Sequence, residues 1–368
     1  MRKDVYSAVI VGFAHVHINR VAEKFAVDPR FSLRNCADIE PIIPELRSAP
    51  YTRVWNIDNC SKKFGMKIWD DWREMLDSVQ PDLCIVNSEN AHHVEITVEC
   101  AKRGIGVCIE KPMATSLSDA LKMYRASLTY NSLLMVNWPS AWNAGLHTAK
   151  RLIDSGAIGK MIEIKTRMGH TGPFGWAKAR HGDIGMTDAE MASTWWYQNR
   201  AGGGAMVDYC CYGSLIARWF VGAPAVAAMG MRINSKMALG DAEDNAIMMV
   251  RFPDMYAVIE GTWTTQHHTF QSPIIYGDMG SLVASYSTGE VTLYRADGQR
   301  EDIRNDELPP NMQDVTTAYV HYMDTGEPLH ELLCAKQNLD VHAMLDAGIR
   351  SASSNKVELV NNTHWQIG

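Results

Sequence analysis

Asp82-Leu83-Cys84-Ile85-Val86-Asn87-Ser88-Glu89-Asn90-Ala91-His92-His93, a helical pattern over residues 94–103 closed by Gly104, and then Gly106-Val107-Cys108-Ile109-Glu110-Lys111-Pro112 form the stretch that decides the fold. Each apolar run is too short for a helix and stops at polar residues, as a strand covered on both faces does. A helix between two such strands is the crossover of a parallel sheet. Pro112 has no N–H for a central ladder, so the second strand ends where Lys111 begins. Polar side chains at the carboxyl ends of parallel strands line the crevice in which open α/β sheets bind ligands.

The same alternation extends outward on both sides. Residues 7–11 (Ser-Ala-Val-Ile-Val) read as a strand, Gly12 as a turn and residues 18–25 as a helix; residues 31–37 and 133–136 read as further strands. Residues 1–137 are therefore expected to be a dinucleotide-binding domain with a Rossmann-type parallel sheet. After the crossover Asn137-Trp138-Pro139 the pattern changes. Residues 161–168, 246–252 and 256–263 are strand-like, the last with period-two alternation, and helices are expected at 205–220 and 329–351. The fold class is thus α/β, with residues 138–368 as an α+β domain built on an open, mostly antiparallel sheet, for substrate binding and oligomerisation. An open sheet leaves one face needing cover, which points to a homo-oligomer.

The chain has 368 residues, more than a single core usually organises, so two domains are expected. A net charge of -7 leaves no cationic excess for a phosphate backbone and argues against nucleic acid as partner. The apolar run after Met1-Arg2-Lys3-Asp4 is far too short for a membrane span or a signal segment, so no membrane partner and a cytoplasmic location are expected. Eight cysteines without a CxxC pair read as buried free thiols.

The loop Gly12-Phe13-Ala14-His15-Val16-His17 keeps one glycine of a phosphate-binding turn, whose helix N-terminus would face a pyrophosphate. Asp38, closing the next strand, is placed to accept hydrogen bonds from an adenosine ribose and to repel a 2′-phosphate. NAD is therefore expected, with NADP less favoured; the alternative leaves Asp38 and Glu40 as solvated turn residues. His15 and His17 also carry metal-ligand chemistry at i and i+2, but no third ligand is close in sequence, and no metal is expected.

Ser88, Asn90 and His93, followed by Glu110-Lys111-Pro112, resemble the Gfo/Idh/MocA oxidoreductases, in which one strand ends in Thr-Pro-Asn-x-x-His and the next in Glu-Lys-Pro; Glu89 stands where proline is usual. The resemblance continues through Ile153-Asp154-Ser155-Gly156-Ala157-Ile158-Gly159, Gly202-Gly203-Gly204-Ala205-Met206-Val207-Asp208, Tyr276-Gly277-Asp278-Met279-Gly280-Ser281 and residues 346–357. It implies an NAD(P)-dependent dehydrogenase acting on CH–OH groups of a sugar, glycoside or related polyol, glycoside 3-dehydrogenation included, and it allows NAD(H) to stay bound between half-reactions. Cofactor contacts would then fall on Gly12, Phe13, Ala14, His15, Asp38, Ser88, Asn90, His93, Glu110 and Lys111.

Where the family usually has histidine this chain has Tyr212, as in the branch resembling glucose-fructose oxidoreductase and dimeric dihydrodiol dehydrogenase. Asp208 and Tyr212 lie at i and i+4 on one helical face. The reading gives Tyr212 the proton transfer, Lys111 the same substrate oxygen and the tuning of Tyr212 toward phenolate, and Asp208 an orienting role; otherwise both simply sit on a partly buried helix. Lys111, Trp138, His181, Trp195, Trp196, Asp208 and Tyr212 are the candidate substrate contacts, since aromatic faces pack on sugar C–H faces. Trp176 and His267-His268 are secondary candidates. The competing readings are a reductase of a dicarbonyl or anhydro-sugar, a dihydrodiol dehydrogenase, and a non-catalytic protein that binds NAD or carbohydrate.

Overall fold

The computed structural model of the chain describes residues 3–236, 239–265, 273–286 and 288–360, apart from the side chains of Trp176 and Ala179. His267 and His268 lie outside the described residues.

The first unit runs β1 (Tyr6–Val11), α1 (Ile18–Val27), β2 (Phe31–Ala37), α2 (Arg53–Phe64), β3 (Lys67–Trp69), α3 (Trp72–Val79), β4 (Leu83–Val86), α4 (His93–Lys102), β5 (Gly106–Glu110), α5 (Leu117–Thr129) and β6 (Leu134–Asn137). Its strands pair in parallel in the order β3-β2-β1-β4-β5-β6. Every residue of β4, β5 and β6 is buried, which is why these strands read as unbroken apolar runs rather than alternating ones. Helix α1 buries Ile18, Val21, Ala22 and Phe25, the i, i+3, i+4, i+7 face of a helix on a sheet. Strand order reverses between β1 and β4, and the loops after these two strands open the binding crevice. They nearly touch: Gly12 has φ 89°, and a Cβ there would lie 2.5 Å from the Ser88 amide nitrogen.

The second unit continues with α6 (Ala144–Asp154), β7 (Met161–Gly169), α7 (Gly175–His181), α8 (Asp188–Ala192), α9 (Cys211–Val221), β8 (Ala227–Ile233), β9 (Asn245–Arg251), β10 (Tyr256–Thr262), β11 (Ile274–Gly277), β12 (Gly280–Ala284), β13 (Val291–Arg295), β14 (Arg300–Ile303), α10 (Val315–Thr325), α11 (Ala335–Ser354) and β15 (Glu358–Leu359). Its sheet, in the order β14-β13-β12-β11-β7-β10-β9-β8-β15, is antiparallel except for the β7–β10 pair. One face packs on α9 and α11. The other leaves Met229, Met231, Ile233, Met249 and Tyr256 exposed, with Met229 opposite Met249 across the ladder.

The chain then crosses back to the first unit. The ring of Tyr319 in α10 meets Tyr6 of β1 edge-on at 5.4 Å, and the Tyr6 hydroxyl donates to Asp324 at 2.9 Å. Cys334 bridges Met135 of β6, and the Val136 amide donates to Leu333 O at 2.9 Å. In α11, Asn338 Oδ1 accepts from the Trp138 indole at 2.7 Å and His342 Nε2 accepts from the Ala114 amide at 3.1 Å. Among the described residues no helix is long and apolar enough to cross a membrane. The eight cysteines are free, all but Cys334 fully buried.

His342 accepts a hydrogen bond through a nitrogen that protonation would take away. Burial, reinforced by His93, lowers its pKa from 6.5 to about 3. As pH falls below 6.5 the unfolded chain takes this proton first, so the stability contributed by the neutral ring is complete above pH 6.5 and drains away toward pH 3. His342→Gln keeps an acceptor and removes the titration. Urea midpoints should therefore fall less between pH 6.5 and 4 in this variant than in the parent chain; an equal fall would mean that the acid-sensitive contact lies elsewhere.

Candidate functional site

Lys111 emerges from the end of β5, is 2 % exposed and followed by Pro112, and points its ammonium at the start of α9. A charge so buried needs a partner. Nζ donates to Asp208 Oδ1 at 2.7 Å and to the Asp208 carbonyl at 3.1 Å. Burial alone would lower the lysine's pKa, but the Asp208 charge outweighs it and holds Lys111 above its ordinary range. Asp208 is likewise held below its ordinary range, burial being overcome by Lys111. Trp263, just beyond β10, donates its indole N–H to Asp208 Oδ2 at 3.0 Å.

The carbonyl that Lys111 uses lies where the helix does not begin regularly. Residues Met206–Cys210 form a π-turn ahead of α9, with the Asp208 amide bonded to Gly204 O at 3.0 Å. The Asp208 carbonyl then serves both Lys111 and the Cys211 thiol, at 3.1 Å each. Gly261 in β10 permits this wide turn to sit on the sheet, since a Cβ there would lie 2.6 Å from Ala205 O.

Tyr212, the second residue of α9, lies under the ammonium: Lys111 Nζ is 4.5 Å from its ring centroid. Its ring packs on Trp138 at 5.4 Å, Tyr286 at 5.9 Å and Tyr209 at 6.0 Å. Burial holds the Tyr212 phenol well above its ordinary range, and Tyr286 and Glu110 add to the effect. The expected tuning toward phenolate is not what this arrangement produces, because Lys111 stands over the ring face and its charge is already paired with Asp208. Tyr212, Tyr209 and Tyr286 line a cavity of about 350 Å³ together with Asn137, Trp142 and His170, with Arg20 and Lys24 of α1 at its rim. A smaller cavity of about 40 Å³, lined by His15, His17, Lys111, Trp196, Asp208 and Tyr212 among others, adjoins it.

The crevice beside these cavities is rich in unsatisfied polar atoms. Asn87 Oδ1, Asn90 Oδ1, His93 Nε2 and Glu110 Oε2 are buried without a hydrogen-bond partner, all at or just beyond the carboxyl ends of β4 and β5. Native interiors rarely tolerate such a row unless a ligand completes it. His93 Nδ1 lies 3.1 Å from Pro112 O, and burial lowers its pKa to about 4, so the ring is neutral with Nε2 an open acceptor. Asp38 directly follows β2. Its Oδ1 accepts from the Phe13 amide at 3.2 Å, the Ile39 amide at 2.9 Å and Arg53 Nη1 at 2.6 Å, while Oδ2 takes part in none of these bonds. Burial raises the Asp38 pKa and Arg53 opposes that rise. Arg53 also pairs with the buried Glu89, so the residue standing in place of the usual proline is held by a cation from α2.

The remaining candidates are placed as follows. Phe13 and Ala14 are buried beneath the second unit, with Trp195 donating its indole N–H to Ala14 O at 2.9 Å. Trp195 and Trp196 stack at 4.0 Å and border His15, so they roof the loop after β1 rather than line the larger cavity. Ser88 turns its hydroxyl onto Glu89 O, and Asn90 Nδ2 donates to Gly202 O at 2.8 Å, locking the triple glycine to the crevice. Trp138 is fully buried with its N–H already used, and backs Tyr212. His181 stands apart from the Lys111 cluster, against Tyr51 and Trp55. Sequence reasoning missed Arg53, His170, Tyr209, Trp263 and Tyr286, which carry no motif. It also missed the third partner of His15 and His17, which is Glu110, 2.9 Å from His17 Nδ1.

A model of the oxidoreductase family with an NAD-binding Rossmann fold matches residues 45–138, and a model of the GFO/IDH/MocA C-terminal domain matches residues 146–283. The chain belongs to the Gfo/Idh/MocA oxidoreductases. Among its relatives, levoglucosan dehydrogenase of Pseudarthrobacter phenanthrenivorans is 26 % identical over 256 residues, covering 61 % of each chain. The 2,7-anhydro-N-acetylneuraminate hydratase of Mediterraneibacter gnavus is 25 % identical over 290 residues, 77 % of this chain and 73 % of that one. The aligned stretches span from 27 % to 73 % of the length of such curated relatives. In structure, the aldose-aldose oxidoreductase of Caulobacter crescentus superposes with a TM-score of 0.75 at 19 % identity, covering 96 % of this chain and 99 % of the other.

The Lys111–Asp208 pair makes an energetic prediction. Asp208→Ala leaves a buried ammonium unpaired and should cost about 3–5 kcal/mol of unfolding free energy. The double variant Lys111→Met, Asp208→Leu should recover most of that loss. Denaturant titration of Lys111→Met, Asp208→Leu and the double variant measures the coupling, and strictly additive losses would mean that the pair is not the unit described.

Proposed function

We propose that the protein is an NAD-dependent dehydrogenase acting on a CH–OH group of a sugar, glycoside or related polyol. Residues 1–137 would bind the dinucleotide, and residues 138–368 would bind substrate and join the subunits. The observation that carries this reading is the convergence, at the carboxyl end of β5, of the buried Lys111–Asp208 pair and the Tyr212 phenol beside the aromatic cavity of about 350 Å³.

The crevice fits the cofactor. Asp38 Oδ2 is available to an adenosine ribose, and Asn90 Oδ1, His93 Nε2 and Glu110 Oε2 are buried acceptors without donors. When bound, NAD supplies the hydride acceptor. The chain's own part is proton handling and positioning. Two of the three Lys111 N–H bonds go to Asp208, leaving one for the substrate oxygen, and Asp208 holds that ammonium in place. Tyr212 exchanges the hydroxyl proton. Since burial keeps its phenol protonated, Tyr212 acts most readily as a donor, which favours the reductive direction near neutral pH and makes oxidation depend on base. That same feature, with relatives named for levoglucosan and 2,7-anhydro-N-acetylneuraminate, supports reduction of a carbonyl on an anhydro-sugar as the second reading. The exposed face carrying Met229, Met231 and Met249 supports a homo-oligomer closed on the second sheet.

Polyol oxidation by the purified chain with NAD, followed at the reduced-nicotinamide band, should rise with pH as the phenol ionises. In Tyr212→Phe turnover should drop by roughly 10²–10⁴-fold and lose that rise. Lys111→Met should be impaired at every pH. An unchanged pH profile in Tyr212→Phe would remove Tyr212 from the proton transfer, and no nicotinamide bound or reduced under any condition would sink the dehydrogenase reading.

A further inference from the structure

We propose that His15, His17 and Glu110 form a site for one divalent transition-metal ion at the edge of the Lys111–Tyr212 cavity. Each of the three contributes a ligand atom, and these atoms all lie within 4.8 Å of one another. The residues come from different places: the two histidines from the loop between β1 and α1, the glutamate from the last position of β5. Parallel pairing of β1 and β5 through β4 brings them together, so the cluster is a product of the fold rather than of sequence spacing.

The geometry is nearly that of a coordination sphere. Metal bonds of roughly 2.0–2.2 Å place neighbouring ligand atoms about 3–3.5 Å apart. His17 Nδ1 and Glu110 Oε1 are already 2.9 Å apart, and the His15 and His17 rings lie with centroids 4.4 Å apart. Side-chain rotation has to bring the remaining ligand atoms, now within 4.8 Å of one another, to that spacing. Glu110 is 1 % exposed, and its Oε2 is buried with no hydrogen-bond partner. A carboxylate oxygen so placed is costly to leave unsatisfied. The neighbouring Lys111 ammonium gives its hydrogen bonds to Asp208 rather than to this oxygen.

The donor set selects the ion. Two imidazoles with one carboxylate suit zinc, manganese, cobalt or ferrous iron, and the softer imidazoles argue against calcium and magnesium. Trp195 and Trp196 flank the His15 ring at 5.8 and 4.9 Å and fix its plane. Three protein ligands leave coordination positions open, and the cluster borders the cavity of about 40 Å³ that also holds Lys111, Asp208 and Tyr212. An ion there would meet an oxygen of whatever occupies that cavity.

The test uses the full chain, stripped with chelator and free of nicotinamide, titrated with Co²⁺. Visible absorption bands saturating at one equivalent are expected, with imidazole ligation. His17→Gln and Glu110→Gln should each weaken Co²⁺ binding by more than roughly 100-fold, while His170→Ala, in the same cavity but outside the triad, should leave it unchanged. His17 is partly exposed, so its variant reports binding even if the buried His15→Ala fails to fold; circular dichroism confirms the fold of each protein. Absence of the bands, or equal affinity in the parent, His17→Gln and Glu110→Gln chains, overturns the site. Because no nicotinamide takes part, failure here leaves the dehydrogenase reading intact, and failure of nicotinamide binding leaves this site intact.

Discussion

A buried ammonium cannot be left alone, and much of this molecule is arranged around that of Lys111. Its partner, Asp208, belongs to the other unit, so satisfying the charge clamps the carboxyl end of β5 to the start of α9. The clamp also uses the Asp208 carbonyl, inside the π-turn at Met206–Cys210, and the carboxylate takes a second donor from Trp263, just beyond β10. Removing the pair in favour of apolar residues would be tolerable for stability. Its retention makes sense as a means of holding a cation at one point against the aromatic cavity.

The crevice between β1 and β4 shows a complementary economy. Its floor is made of polar atoms that the protein does not satisfy by itself, and its roof is the Trp195–Trp196 stack leaning on the loop after β1. Lost loop glycines are compensated by close contact at the remaining one, Gly12, against Ser88. The loop therefore keeps its approach to the ligand crevice while carrying two imidazoles that an ordinary phosphate loop does not have.

Much of the first unit was legible because parallel strands buried on both faces leave continuous apolar runs, and residues 83–86 and 106–110 could be recognised on that ground alone. The open, mostly antiparallel second sheet followed from period-two alternation in residues 256–263. Lys111, Asp208 and Tyr212 were found together because motif positions preserve what distance in sequence conceals. The pairing of Glu110 with His17 was not legible, since it depends on strand order, and neither was Arg53, whose two carboxylate partners lie on other elements. The protonation of Tyr212 was misjudged for a related reason. Sequence shows that a lysine is near, but not that its charge is spent on Asp208 or that its ammonium lies over the ring rather than at the oxygen.

The return of α10 and α11 to the first unit has a bearing on how the protein is made. Tyr6 of β1 rests on Tyr319, β6 receives its bridge from Cys334, and Ala114 and Trp138 are bonded by residues of α11. A ribosome releases the six parallel strands well before it has synthesised any of these partners. The nascent sheet must therefore wait with part of its flank uncovered, and its final consolidation follows the synthesis of α10 and α11. Two units that look sequential in the primary structure are in this sense finished simultaneously, and protection of the early-emerging strands from aggregation falls to whatever shelters the growing chain.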